Sequence, residues 1–189
     1  MTASALDPHS ALIVIDLQQA IVALPTAHDP REVVRRSARL AEAFRARGWP
    51  VVLVTVAGAA PGRTEQPRRG GAPDPEGVKL VPELGNDPRD HHVTKRTWGA
   101  FSHTGLEQHL RSLGVTQVVL CGIATSIGVE STARQAHEAG FNVTLAVDAM
   151  TDLSAETHDN SVQRIFPRLG ETAQTDEILA LLGAGSPNP

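Results

Sequence analysis

Four short apolar runs punctuate the chain, at residues 11–17, 51–56, 118–121 and 143–147. They are rich in β-branched side chains and lack polar alternation, the pattern of strands covered on both faces by helices. Residues 92–95 and 171–175 are weaker strand candidates, bringing the expected count to about six. Between the runs the hydrophobic period changes to that of a helix. Asp29-Pro30-Arg31-Glu32 reads as an N-cap, a first-turn proline and a capping-box glutamate. After it Val34, Ala38, Ala41 and Phe44 share one face, and Gly48 supplies a stop. Thr104-Gly105-Leu106-Glu107 reads as a second capping box, opening a helix that ends near Gly114. Ser126 is the expected cap of a third helix with the small inward residues Val129, Ala133 and Ala136. Ser154 starts a fourth, and residues 176–182 form a fifth.

Strands alternating with helices predict an α/β fold. Its expected form is a three-layer α/β/α, Rossmann-like domain with a mostly parallel sheet, because parallel strands need crossover helices. Residues 57–90 form a Gly- and Pro-rich loop longer than most connectors, which points to function. Residues 1–10 and 183–189 are expected to fray.

A chain of 189 residues with 41% hydrophobic and 20% charged residues has the balance of one globular domain. Net charge is −4, and the basic residues are dispersed except at Arg35-Arg36 and Arg68-Arg69, so no nucleic-acid footprint is expected. No apolar run approaches a membrane span, and the first ten residues lack the pattern of a signal peptide. With Cys121 as the lone cysteine no internal disulfide can form. A cytoplasmic location is expected.

Ligands of open parallel sheets bind outside the carboxyl ends of the strands. Three features converge there: Asp16 after the first run, Lys95 after the third strand, and the turn 122–128 after the fourth. The blocks that carry them are A-L-I-V-I-D-L-Q-Q, K-R-T-W-G-A-F-S and G-I-A-T-S-I-G-V-E-S-T-A-R, followed by A-V-D-A-M-T-D. All four resemble, in order and spacing, the isochorismatase-like hydrolase family, and the resemblance covers residues 1–189 as a single domain. It implies catalytic roles for Asp16 and Lys95, a nucleophile position at Gly128, and a non-proline cis peptide at Ile123-Ala124. The residues around them that would meet substrate or an oxyanion are Gln18, Arg63, Trp98, Phe101, Ile123, Ala124, Thr125 and Ile127.

Most members of that family carry a cysteine where this chain has Gly128. In them the aspartate takes the thiol proton, the lysine holds the polar centre, and backbone N–H groups stabilise an oxyanion. Gly128 cannot attack, and Cys121, inside V-V-L-C, reads as a buried structural thiol. The true isochorismatases also have glycine there and hydrolyse a vinyl ether without a covalent intermediate, the aspartate delivering a proton. This chain departs from them at Ala124 and Ser126, where they have tyrosine and histidine, and in a shorter N-terminal segment. The implied activity is hydrolysis of a small metabolite, plausibly isochorismate-like, through an Asp/Lys site. Alternatives are hydrolysis of a small amide by activated water, and a catalytically silent binding or interaction protein.

The Asp-x-His pattern of metal-dependent relatives is missing after the second strand, so neither metal nor cofactor is expected. The expected partners are a small-molecule substrate and further copies of the chain, as a dimer or tetramer. The residue types leave several alternatives open. Asp16 could cap a turn. Lys95 could be solvated rather than paired with Asp16, and Arg96 reads as exposed. Trp98 and Phe101 could line a pocket or an oligomer contact, and Arg63 could meet an anion or only water. His91 and His92 point to opposite faces of a strand and cannot share an ion. Glu130 and Arg134 form a helix-surface pair, and Asp148 and Asp152 fix turns.

Overall fold

The computed structural model describes residues 3–65 and 74–184. Among these residues six strands form one sheet: β1 (Ser10–Ile15), β2 (Val51–Val56), β3 (His91–Lys95), β4 (Gln117–Ile123), β5 (Asn142–Thr151) and β6 (Glu171–Ala173). Their order is β3-β2-β1-β4-β5-β6, and every pairing within the sheet is parallel. The connections contain α1 (Gln19–Val22), α2 (Pro30–Ala46), α3 (Leu106–Ser112), α4 (Glu130–Glu138), α5 (Ala155–Asn160), α6 (Phe166–Leu169) and α7 (Thr175–Ala184).

Strand alternation sorts the core into two layers. Leu12, Val14, Leu53, Val119 and Cys121 face α2 and α7, where Val33, Leu40, Phe44 and Ile178 meet them. Ala11, Ile13, Ile15, Val54 and Leu120 face the other way, toward Leu106 and Leu110 of α3, Ala133 and Ala136 of α4 and Phe166 of α6. Both faces of β1 are therefore buried, which is why its sequence shows no polar alternation. No described helix is long and apolar enough to cross a membrane.

Three expected helix signals work differently from their sequence reading. Asp29 caps α2 through the Arg31 N–H at 2.9 Å, but Glu32 turns outward to Arg35 and Arg36 instead of closing the box. The buried face of α2 centres on Val33, Ser37, Leu40 and Phe44, leaving Ala38 at its edge. Before α3, Thr104 accepts from the Leu106 N–H, while Gly105, at φ 74°, occupies the N-cap position. Ser126 caps nothing. Its N–H donates to the Asp152 carboxylate at 2.6 Å, and one wide turn, Thr125–Val129, leads into α4.

The expected fraying of residues 1–10 does not extend to residues 3–10. Ala3 is buried, Ser4 binds the Glu171 carboxylate, and Asp7 and Ser10 are tied to Gln117. At the other end α7 continues through residues 183 and 184, and 185–189 lie outside the described residues.

Candidate active site

The strand order reverses between β1 and β4, and at such a switch point the two loops leave in opposite directions and open a crevice. Asp16 follows β1 at that point, in a left-handed conformation with φ 51°. Its backbone closes a tight turn through the Gln18 N–H at 2.8 Å, a conformation that Asp tolerates better than bulkier residues do.

Lys95 ends β3, two strands away from β1 and so roughly 10 Å across the sheet. Its long stem spans the end of β2 and brings Nζ to 2.6 Å from Asp16 Oδ2. The same Nζ donates to the Thr97 carbonyl at 3.2 Å. Both charged groups are buried, with side chains 8% and 2% exposed for Asp16 and Lys95. Asp16 Oδ1 is also buried and has no hydrogen-bond partner among the described residues. Burial raises the Asp16 pKa from 3.8 to about 6, outweighing the opposing pull of Lys95.

The third component is the turn at the end of β4. Gly122, at φ 119°, passes so close to β1 that a Cβ there would lie 2.1 Å from the Ile15 carbonyl oxygen, so only glycine fits. The next peptide, Ile123-Ala124, is cis, as the family resemblance implies. Five residues on, a Cβ at Gly128 would lie 3.4 Å from Asp16 Oδ2 and 3.7 Å from the Trp98 carbonyl. Gly128 thus faces the aspartate directly but carries no side chain. A Cβ there would also press on the Ile15 Cγ2 methyl at 2.8 Å. Cys121 is no substitute: it is buried in the layer beneath α2, where burial pushes its thiol up to about 12.

Matches to known proteins agree with this arrangement. Residues 10–177 match the Isochorismatase domain. The chain belongs to the isochorismatase family. It is 46% identical over 184 residues to the uncharacterized isochorismatase family protein YecD of Escherichia coli O157:H7, covering 92% of this chain and 96% of YecD. It is 30% identical over 185 residues to the phenazine biosynthesis protein PhzD1 of Pseudomonas aeruginosa, covering 92% of this chain and 87% of PhzD1. An isochorismatase family protein from Burkholderia thailandensis superposes with a TM-score of 0.92 at 42% identity, covering 96% of this chain and 100% of that one.

Several residues expected around this isochorismatase-family site have other work. Gln18 is spent on the fold: its amide accepts from the Val56 N–H and donates to the Val56 and Val78 carbonyls, locking residues 74–81 alongside the end of β1. Phe101 packs on Phe141, ring centroids 6.0 Å apart, against the core layer that faces α3, α4 and α6. Trp98 reaches the site through its backbone, while its side chain is 61% exposed. Ile123 is a core side chain, and the Ile127 N–H donates to the Ala124 carbonyl. The Thr125 hydroxyl is bonded to His158. Arg63 lies exposed on the loop after β2, with no described contact to Asp16 or Lys95. Arg96 is exposed beside the Ala57 carbonyl. No cluster of three His, Cys, Asp or Glu side chains among the described residues is placed to hold a metal ion.

Of the residues that hold this region in place, the sequence reading had Asp152, as a residue that fixes a turn, and missed Thr132 and Gln135. Asp152 accepts from the Ser126 and Leu153 N–H groups, Thr132 bonds the Gly128 carbonyl, and Gln135 accepts from the Phe101 N–H. His158 was not singled out at all, since nothing in the helical period marks it as facing a loop distant in sequence.

Proposed function

We propose that this protein hydrolyses a small enol ether by general-acid catalysis at Asp16, without a covalent intermediate. The observation that carries this reading is a buried aspartate with a raised pKa, held by Lys95, facing a nucleophile position that has no side chain. A carboxyl group titrating near 6 is about one-tenth protonated at pH 7, enough to act as an acid. Because Oδ2 accepts from Lys95, the acidic proton belongs on Oδ1.

The chemistry follows from that placement. Asp16 delivers its proton to the terminal carbon of the C=C bond, leaving an oxocarbenium carbon and a carboxylate stabilised by Lys95. Water adds to that carbon and returns a proton to Asp16. The resulting hemiketal collapses to a ketone and an alcohol. Glycine at 128 leaves space on the face from which a thiol would otherwise attack. The similarity to the phenazine biosynthesis protein PhzD1 supports a small-metabolite substrate.

The test is a panel of enol ethers and small amides, with kcat/KM measured across pH for wild type and Asp16→Asn. Enol-ether turnover that declines as pH rises past about 6, and that Asp16→Asn abolishes, supports the assignment. Amide turnover that instead fails as pH falls below that value would make Asp16 a base activating water. No turnover of either class would favour a binding role.

A further inference from the structure

Behind the turn lies a pair of histidines. Thr125, the first residue of the wide turn, is fully buried, and its hydroxyl lies 2.8 Å from Nδ1 of His158 on α5. His158 is itself only 8% exposed, and its ring packs against His28 with centroids 4.6 Å apart. His28 in turn is anchored to Thr151 through both its backbone N–H and its Nδ1, each at 3.1 Å. Thr151 is the residue of β5 in register with Ile123, the residue that opens the cis peptide. The two histidine–threonine pairs therefore meet the turn at its β4 end, at Thr125 directly and at Ile123 through Thr151.

We infer that His158 is a positioning residue, which holds the backbone of residues 124–128 against Asp16 through the Thr125 hydroxyl. Three physical reasons support this. The bond is buried, so water cannot replace it cheaply when it is lost. Beyond the ring is a cavity of about 390 Å³, lined in part by His28, Val147, Met150 and His158, into which an untethered imidazole can swing. The turn's own bonds, Ile127 and Val129 N–H to the Ala124 carbonyl, fix its internal shape, whereas its attachment to the rest of the domain depends on Asp152 at the Ser126 N–H and on His158 at the Thr125 hydroxyl. Burial and the neighbouring His28 lower the His158 pKa, favouring the neutral ring, although Asp152 and Asp159 oppose them.

The role rests on the hydrolytic reading for its purpose, but its test needs no substrate. Amide hydrogen exchange would be followed by NMR in the full chain for wild type, His158→Ala, His158→Asn and Thr125→Val. Asn places a hydrogen-bonding atom close to that of Nδ1, and Val removes the hydroxyl with little change of shape. His158→Ala and Thr125→Val should each lower protection at Ile127 and Val129 by about tenfold, the scale of one buried hydrogen bond, with Leu12 and Val119 unchanged. His158→Asn should restore most of the loss. If His158→Ala fails to fold, Thr125→Val carries the same expectation. Unchanged protection at the turn, or an equal fall at every amide, would overturn the assignment. For a substrate found by the enol-ether panel, His158→Ala should lower kcat with KM nearly constant, and an equal loss in KM alone would count against it.

Discussion

Asp16→Asn separates the two forces acting on the buried carboxylate, because an amide resembles the neutral acid and cannot ionise. In the native protein burial raises the Asp16 pKa from 3.8 to about 6 despite Lys95 at 2.6 Å. A group whose native pKa is raised favours folding most below its unfolded pKa, and that contribution is lost as pH rises through the native value. Relative to the neutral state, keeping Asp16 native costs about 2 kcal/mol at pH 5 and about 3 kcal/mol at pH 8. Asp16→Asn escapes this cost, and the fixed difference between an amide and a neutral acid cancels when two pH values are compared. The stability of the variant minus that of wild type should therefore rise by about 1 kcal/mol between pH 5 and pH 8. Urea unfolding at several pH values, with m-values held equal, measures it directly. A gap that stays flat, or falls as pH rises, would mean that Lys95 outweighs burial. Asp16 would then be a permanent carboxylate, and the acid mechanism would fail with it.

Other substitutions test the geometry around that pair and the packing of the fold that carries it. Gly128→Cys should create the only readily alkylated thiol, since Cys121 is buried with its thiol raised to about 12. Its iodoacetamide rate should drop in the Asp16→Asn background, and crowding against Ile15 should cost about 1–3 kcal/mol in urea unfolding. Gly122→Ala drives a Cβ to 2.1 Å from the Ile15 carbonyl, so it should cost more than about 4 kcal/mol or prevent folding, read as loss of folded protein on expression. Asp90→Ala removes the nearly buried carboxylate that binds Arg45 at 3.0 and 2.6 Å, and should destabilise by about 2–4 kcal/mol in thermal or urea melts.

The sheet and its helical cover were legible in the sequence because each is a local signal, while the candidate site positions Asp16, Lys95 and Gly128 came from the family resemblance. A strand buried on both faces must be apolar throughout, so residues 11–17 and 118–121 announced themselves, and Asp16 stood out as the charged residue in the first of them. The cis turn came from the family resemblance rather than from any periodicity. What the sequence could not convey was how side chains far apart along the chain are spent once the strands are in register. Gln18 looked available for substrate beside Asp16, yet folding places the Val56 and Val78 carbonyls within its reach and the amide is consumed there. Phe101 read as either a pocket wall or an oligomer contact, but the loop after β3 is pinned to α4 by Thr132 and Gln135 and turns the ring toward Phe141. His158 carried no local mark. It acquires a role only because α5 packs behind a turn 33 residues away and brings Nδ1 to the Thr125 hydroxyl. Hydrophobic periodicity depends on the solvent that each residue avoids, which is a property of its own segment. The partner of a buried polar group depends on which other segment the topology brings opposite it, and that was decided only when the sheet closed.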